Sequence, residues 1–219
     1  MQKTSMIFLV LSLYLALLGG YLSFFNTTPE TLFIRFFGLA ALSFVTVTLA
    51  IGPLVVLSPS RFAPLIEPRR AIGLAGFTFM VMHFLLILVH VYGGDWALSF
   101  TSTNTLIAVP AMGVFTLLAL TSSDYAMRKL GGRWWKRVQQ LNYLAFLLIV
   151  GHYYLSQKGT IVILPEGNVF INLAELGVWI LVTSVVLLQG IGFFTRKKKQ
   201  HDAALAAAAT TKESTNPPL

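Results

Sequence analysis

Six stretches of the chain are apolar and almost free of charge: about Ser5 to Phe25, Leu32 to Leu57, Ala71 to Tyr92, about Thr103 to Thr121, Val138 to Leu155 and Val169 to Phe194. Proline, glycine and charged residues bound them. Runs of this length predict helices that cross a membrane, because lipid offers no partner to an unpaired backbone group and a crossing takes about 20 residues. The first run has only Lys3 before it and exceeds the roughly 7–15 apolar residues of a signal segment, so it is expected to be retained. The pattern predicts an all-α integral membrane protein, a six-helix transmembrane bundle over residues 1–199, followed by a low-complexity, disordered tail over 200–219.

Composition narrows the class. The chain has 219 residues, 56% hydrophobic and 11% charged, against roughly 25% charged in soluble domains. That excludes a soluble globular protein and a disordered one. It also excludes a nucleic-acid binder despite the net charge of +8, since such domains spread their charge over a solvated surface. Six crossings with short loops leave no room for a flavin, nucleotide or molybdenum domain. Zero cysteines exclude disulfides, iron–sulfur clusters, thiolate ligation and covalent haem attachment.

The charges themselves set an orientation. Arg61, Arg69 and Arg70 lie between the second and third runs, and Arg128, Lys129, Arg133, Lys136 and Arg137 between the fourth and fifth. Arg196 to Lys199 follow the sixth. With Lys3 and Lys212, 14 of the 16 Lys and Arg fall on one side, leaving Arg35 and Lys158 on the other. The positive-inside rule puts both termini in the cytoplasm and makes the third and fifth helices parallel; the expected location is the inner (plasma) membrane.

Few ionisable residues fall inside the runs, and each is a functional candidate. His83 and His90 are in the third run and His152 is in the fifth. His83 follows Arg70 by 13 residues and His152 follows Arg137 by 15. At about 1.5 Å per residue both reach a similar depth on parallel helices, an arrangement in which two imidazoles clamp one haem iron. The alternative is that they only hydrogen-bond neighbouring helices. Gly76 and Ala145 lie seven residues below these histidines, on nearly the same faces, and are expected to make room for a flat macrocycle. His90 is about 10 Å further out and suits a propionate, a quinone, a partner or a polar interface, or a substitute ligand in place of His83. Glu175 shares a stripe with Asn168 and Asn172, as a hydrated helix end, a proton acceptor or a quinone-site residue. Arg35 has three candidate partners: Glu30, Glu175 or a propionate. Nucleophile-elbow, HExxH and P-loop motifs are absent, and the Trp134–Trp135 pair reads as an interfacial aromatic belt.

Several of these residues carry a resemblance. Arg69-Arg70, the run Ile72 to Met82 and then His83 resemble the ferric reductase-like transmembrane domain family, as do Ala126-Met127, Lys129-Leu130-Gly131, Trp134 or Trp135, Tyr143 and His152-Tyr153. Within that family the pattern is nearest to haem-binding membrane subunits of bacterial periplasmic methionine-sulfoxide reductase systems. The resemblance spans roughly residues 36 to 157. It implies a b-type cytochrome with His83 and His152 as axial ligands, a quinol or a flavin reductase as donor, and an acceptor on the outer side such as a periplasmic reductase subunit. A quinone or FMN is a further cofactor it allows. Where the family usually carries a second histidine in the fifth helix, 13 residues before His152, this chain has Gln139, which favours one haem over two. A stand-alone ferric-chelate reductase and a non-redox transporter or scaffold are the rival readings.

Overall fold

The computed structural model describes residues 3–25, 28–156, 161–163 and 169–214; Asn168 and Lys158 lie outside them. Nine α-helices are present among these residues: α1 (Lys3–Phe25), α2 (Pro29–Leu57), α3 (Pro59–Phe62), α4 (Ile66–His90), α5 (Trp96–Ser99), α6 (Thr103–Leu120), α7 (Asp124–Gln140), α8 (Asn142–Ser156) and α9 (Leu173–Ser214). A 3-10 turn (Ala63–Leu65) joins α3 to α4. Between α8 and α9, β1 (Ile161–Ile163) and β2 (Val169–Ile171) pair antiparallel, with Val162 opposite Phe170.

Local chemistry explains where the helices start. The hydroxyl of Thr28 accepts from the Thr31 amide, and Pro29 follows at the first helical position, where its missing N–H costs nothing. Ser123 accepts from the Ala126 amide to open α7. The Asn172 side chain accepts from the Glu175 amide at 3.4 Å to open α9.

Five helices are long and apolar enough to cross a membrane: Ser5–Phe24, Pro29–Leu57, Pro59–His90, Thr103–Leu120 and Leu173–Ala208. The fifth expected run, 138–155, divides instead. Its first residues close α7, and its remainder forms the 15-residue α8, which at about 1.5 Å per residue is shorter than a typical hydrocarbon core of about 30 Å. The basic segment before it, expected as a loop, is the helix α7. Its Lys129 and Arg137 side chains lie over the Tyr125 and Trp134 rings, and Gly131 breaks it at φ 72°. At the far end, the segment from 200 onward, expected to be disordered, continues α9 as helix through Ser214. Its alanines have the highest helix propensity of any residue.

α2 is the central helix: 67% of its apolar window is buried, against 22% or less in the other four crossing candidates. α4 runs antiparallel along it, with Arg69 Nε donating to the Thr48 carbonyl at 3.1 Å and Gly76 against Phe44 and Val45. α9 closes on another side of α2, where Gly192 lies against Pro53 and Gln189 Nε2 donates to the Leu49 carbonyl at 2.8 Å. α6 and α8 form a second antiparallel pair. Small residues permit these close approaches, as in other membrane helix pairs.

The basic segments meet at one end of the bundle. Arg70 pairs with Asp124 at 2.8 Å, and Lys199 donates to the Val56 carbonyl at 3.0 Å. A Cβ on Gly76 would stand 3.2 Å from Phe44 Cβ and 3.3 Å from Val45 Cγ2, whereas one on Gly113 would meet nothing within 4 Å. Gly76→Val should therefore destabilise the protein by about 1–3 kcal/mol, while Gly113→Val should cost less than half as much. Unfolding in detergent micelles measures both.

Candidate functional site

Two histidines from separate helix pairs meet in the interior. The His83 ring of α4 and the His152 ring of α8 stand 6.3 Å apart, centre to centre, with their planes inclined at 72°. His83 Nδ1 lies 2.9 Å from the carbonyl oxygen of Ile34 on α2, and His152 Nδ1 lies 3.0 Å from that of Asn104 on α6. A carbonyl oxygen only accepts, so each Nδ1 carries the proton. Each Nε2 is then the unprotonated nitrogen, with a lone pair available to a ligand.

The repeated geometry has one local cause. Each ring reaches across to the antiparallel partner of its own helix, near that partner's first turns. For His83 this depends on Gly38, where a Cβ would lie 3.0 Å from both Cε1 and Nδ1 of the imidazole. Gly38 is the residue that sequence reasoning missed. The available signal was a glycine inside an apolar helix, which usually has a packing reason.

The imidazoles line a cavity of about 540 Å³ between the two helix pairs, within the range of about 300–1,000 Å³ that holds cofactor-sized ligands. Its walls are largely apolar, among them Leu42, Phe77, Met80 and Phe115. Polar side chains gather toward one end: Arg35, Asn172 and Glu175. Glu175 is 7% exposed, and its Oε1 lies 3.6 Å from Arg35 Nη2. Of the three partners considered for Arg35, the structure therefore shows Glu175.

The other expected site residues fall elsewhere. His90 ends α4, exposed, and does not line the cavity. Gln139 lies in the last turn of α7, away from the cavity, with Nε2 donating to Thr121 Oγ1 at 3.2 Å. Trp135 Nε1 donates to the Thr121 carbonyl at 2.9 Å, and Arg137 stacks 4.9 Å over the Trp134 ring. The two small residues below the histidines need correcting. Gly76 touches the cavity, but its bare Cα is used by Phe44 and Val45. Ala145 is fully buried in a cluster with Val45, Leu49, Phe115 and Val185 and does not line the cavity. Both are small for helix packing.

The donor set says what the site can hold. Among the described residues no three His, Cys, Asp or Glu side chains gather to bind a bare metal ion. Two imidazoles in an apolar slot suit a metal whose remaining donors come from a macrocycle. Two rings each ligating one metal at about 2 Å stand roughly 6 Å apart between centres, which agrees with the 6.3 Å observed.

Residues 37–150 match the family model described as ferric reductase like transmembrane component; His83 lies inside this match and His152 two residues beyond it. Proteins from Brucella ovis, Brucella canis and Brucella suis, each named protein-methionine-sulfoxide reductase heme-binding subunit MsrQ, are 31% identical over 134 residues. The alignment takes in 59% of this chain and 59% of each relative, so the chain spans about three-fifths of their length. No solved structure matches.

Gly38→Ala should push the His83 ring off the Ile34 carbonyl and leave His152 in place. Nitrogen NMR of the ring-labelled protein should then show loss of one hydrogen-bonded Nδ1–H signal and retention of the other.

Proposed function

The chain belongs to the ferric reductase like transmembrane component family, and from that premise we propose that it is a b-type haem cytochrome that relays electrons within the membrane. The observation that carries the proposal is the pair of imidazoles, 6.3 Å apart across a cofactor-sized cavity, with both Nδ1 atoms already committed to backbone carbonyls. His83 and His152 are the residues that would hold the haem iron. The bonds from Nδ1 to the Ile34 and Asn104 carbonyls fix ring orientation and tautomer and raise the basicity of Nε2. A haem held there would supply one-electron exchange.

The chain's own residues supply the rest. Phe77, Met80 and Phe115 keep water from the slot, and the carbonyls of Ile34 and Asn104 hold the two rings still between turnovers. Arg35 brings positive charge to the polar end, where it suits propionates. With no cysteine in the chain, the haem is held without a covalent link. One haem is bound per chain, because Gln139 is turned to Thr121 and does not line the cavity.

In this reading α8 is the sixth crossing, its shortness made up by tilt of its neighbours and local thinning of the bilayer. The basic end faces the cytoplasm of the inner membrane. A quinol or a flavin reductase supplies electrons. The acceptor is a partner on the outer side, and the Brucella relatives' names support a methionine-sulfoxide reductase in that role. His90 stands at the outer end of α4 and is free to contact such a partner.

Purified protein should give a pyridine haemochrome ratio near one haem per chain. His83→Ala and His152→Ala should each abolish the low-spin spectrum, and His90→Ala should keep it. A well-folded protein that binds no haem would end this reading; a ratio near two would end the single-site assignment.

A further inference from the structure

Glu175 has a use that the axial pair leaves open. It sits in the first turn of α9, 7% exposed, on the wall of the cavity that the two imidazoles line. Its Oε2 is buried and has no hydrogen-bond partner among the described residues. Its Oε1 is 3.6 Å from the Arg35 guanidinium, too long for a strong charge-assisted bond. A buried carboxylate held this loosely is a group with room for a proton.

We propose that Glu175 is the proton acceptor of the cavity, binding one proton when the redox group held by His83 and His152 gains one electron. The inference rests on the cytochrome reading above. Its physics is Coulombic. An electron delivered into a slot of low dielectric interacts strongly with any charge on the same wall, and a carboxylate there is disfavoured by the added negative charge. Proton binding cancels it. By linkage the effect is reciprocal: a proton on Glu175 favours the reduced state by the same factor that reduction favours the proton.

The surroundings leave Glu175 as the acidic group for this task. The charged and titratable groups that line the cavity with it are Arg35 on α2, His83 on α4, Tyr92 just after α4, and His152 and Tyr153 on α8; Tyr21 on α1 meets the start of α9. The Arg35 guanidinium only donates hydrogen bonds. The two histidines have Nδ1 on carbonyls, and their Nε2 atoms would be taken up by the metal. The Tyr21 hydroxyl oxygen accepts from the Leu173 amide at 2.9 Å, and the Tyr92 hydroxyl pairs with that of Thr105 at 3.1 Å. The step balances simply. An external one-electron reductant gives one electron to the site, water at the polar end gives one proton to Oε2, and the only bond made in the protein is O–H.

The test is a spectroelectrochemical titration of full-length, haem-loaded protein in lipid nanodiscs at several pH values around neutrality. The native protein should show a midpoint potential that falls as pH rises, by up to about 59 mV per unit for a one-electron couple. Glu175→Gln should hold haem and lose the slope, and Glu175→Asp should restore part of it. A native potential independent of pH, or a slope that survives in Glu175→Gln, overturns the proposal while the cytochrome reading stands. Protein that holds no haem overturns both. If Glu175→Gln fails to fold, reduced-minus-oxidised infrared spectra of the native protein decide. A protonated-carboxyl band that appears on reduction and shifts in heavy water supports the proposal, and its absence overturns it.

Discussion

An imidazole buried in a helix bundle has two ring nitrogens to satisfy, and in a membrane there is little water to satisfy them. Here each Nδ1–H finds a main-chain carbonyl on the antiparallel neighbour of its own helix, Ile34 for His83 and Asn104 for His152. Everything at the site follows from those two bonds. They set the tautomer, point each Nε2 away from the carbonyl, and tie α4 to α2 and α8 to α6 at the level where the cavity opens. The requirement is demanding because a helical carbonyl is normally shielded by the side chain one turn on. At Ile34 that position is Gly38, and the ring lies where a Cβ would be.

The rest of the bundle serves this placement. α2 is the most buried helix, built in its middle from Ala40, Ala41, Ser43 and Thr46, which leave room for neighbours. Thr46 returns its hydroxyl to the Leu42 carbonyl at 2.6 Å, and Ser43 pairs with Tyr14 at 2.6 Å, so no buried hydroxyl there competes for the cavity. Gly76 brings α4 against α2 on one side, and Gly192 brings α9 against it at Pro53 on another. α9 thereby delivers Glu175 to the end of the cavity where α2 delivers Arg35. An apolar slot with one polar end is the arrangement expected of a site that must exclude water from an electron carrier and still answer its charge.

Much of this was legible in the sequence, and the rest was hidden for identifiable reasons. Long apolar runs announce helices in lipid because the backbone has no other way to satisfy itself, and four of the six expected runs coincide closely with α1, α2, α4 and α6. The common level of His83 and His152 could be counted from basic boundaries, since helical rise is constant. α7 was not legible because a basic segment interrupted by Gly131 and Gly132 between two apolar runs reads as a loop. Gly76 and Ala145 were legible as small but not as packing residues, because sequence spacing does not say which neighbour occupies the gap. Gly38 was hidden for the converse reason: Arg35-Phe36-Phe37-Gly38 gives no sign that a ring from 45 residues away fills the space.

The central claim is that two imidazole nitrogens, one from each helix pair, hold one iron. Pulsed electron paramagnetic resonance on oxidised, haem-loaded protein with nitrogen-15 histidine measures this directly. The account predicts hyperfine coupling to two axial ring nitrogens per iron, with one coupling lost in His83→Ala and the other in His152→Ala. Coupling to a single histidine nitrogen in the native protein, or two couplings that survive either substitution, would contradict it.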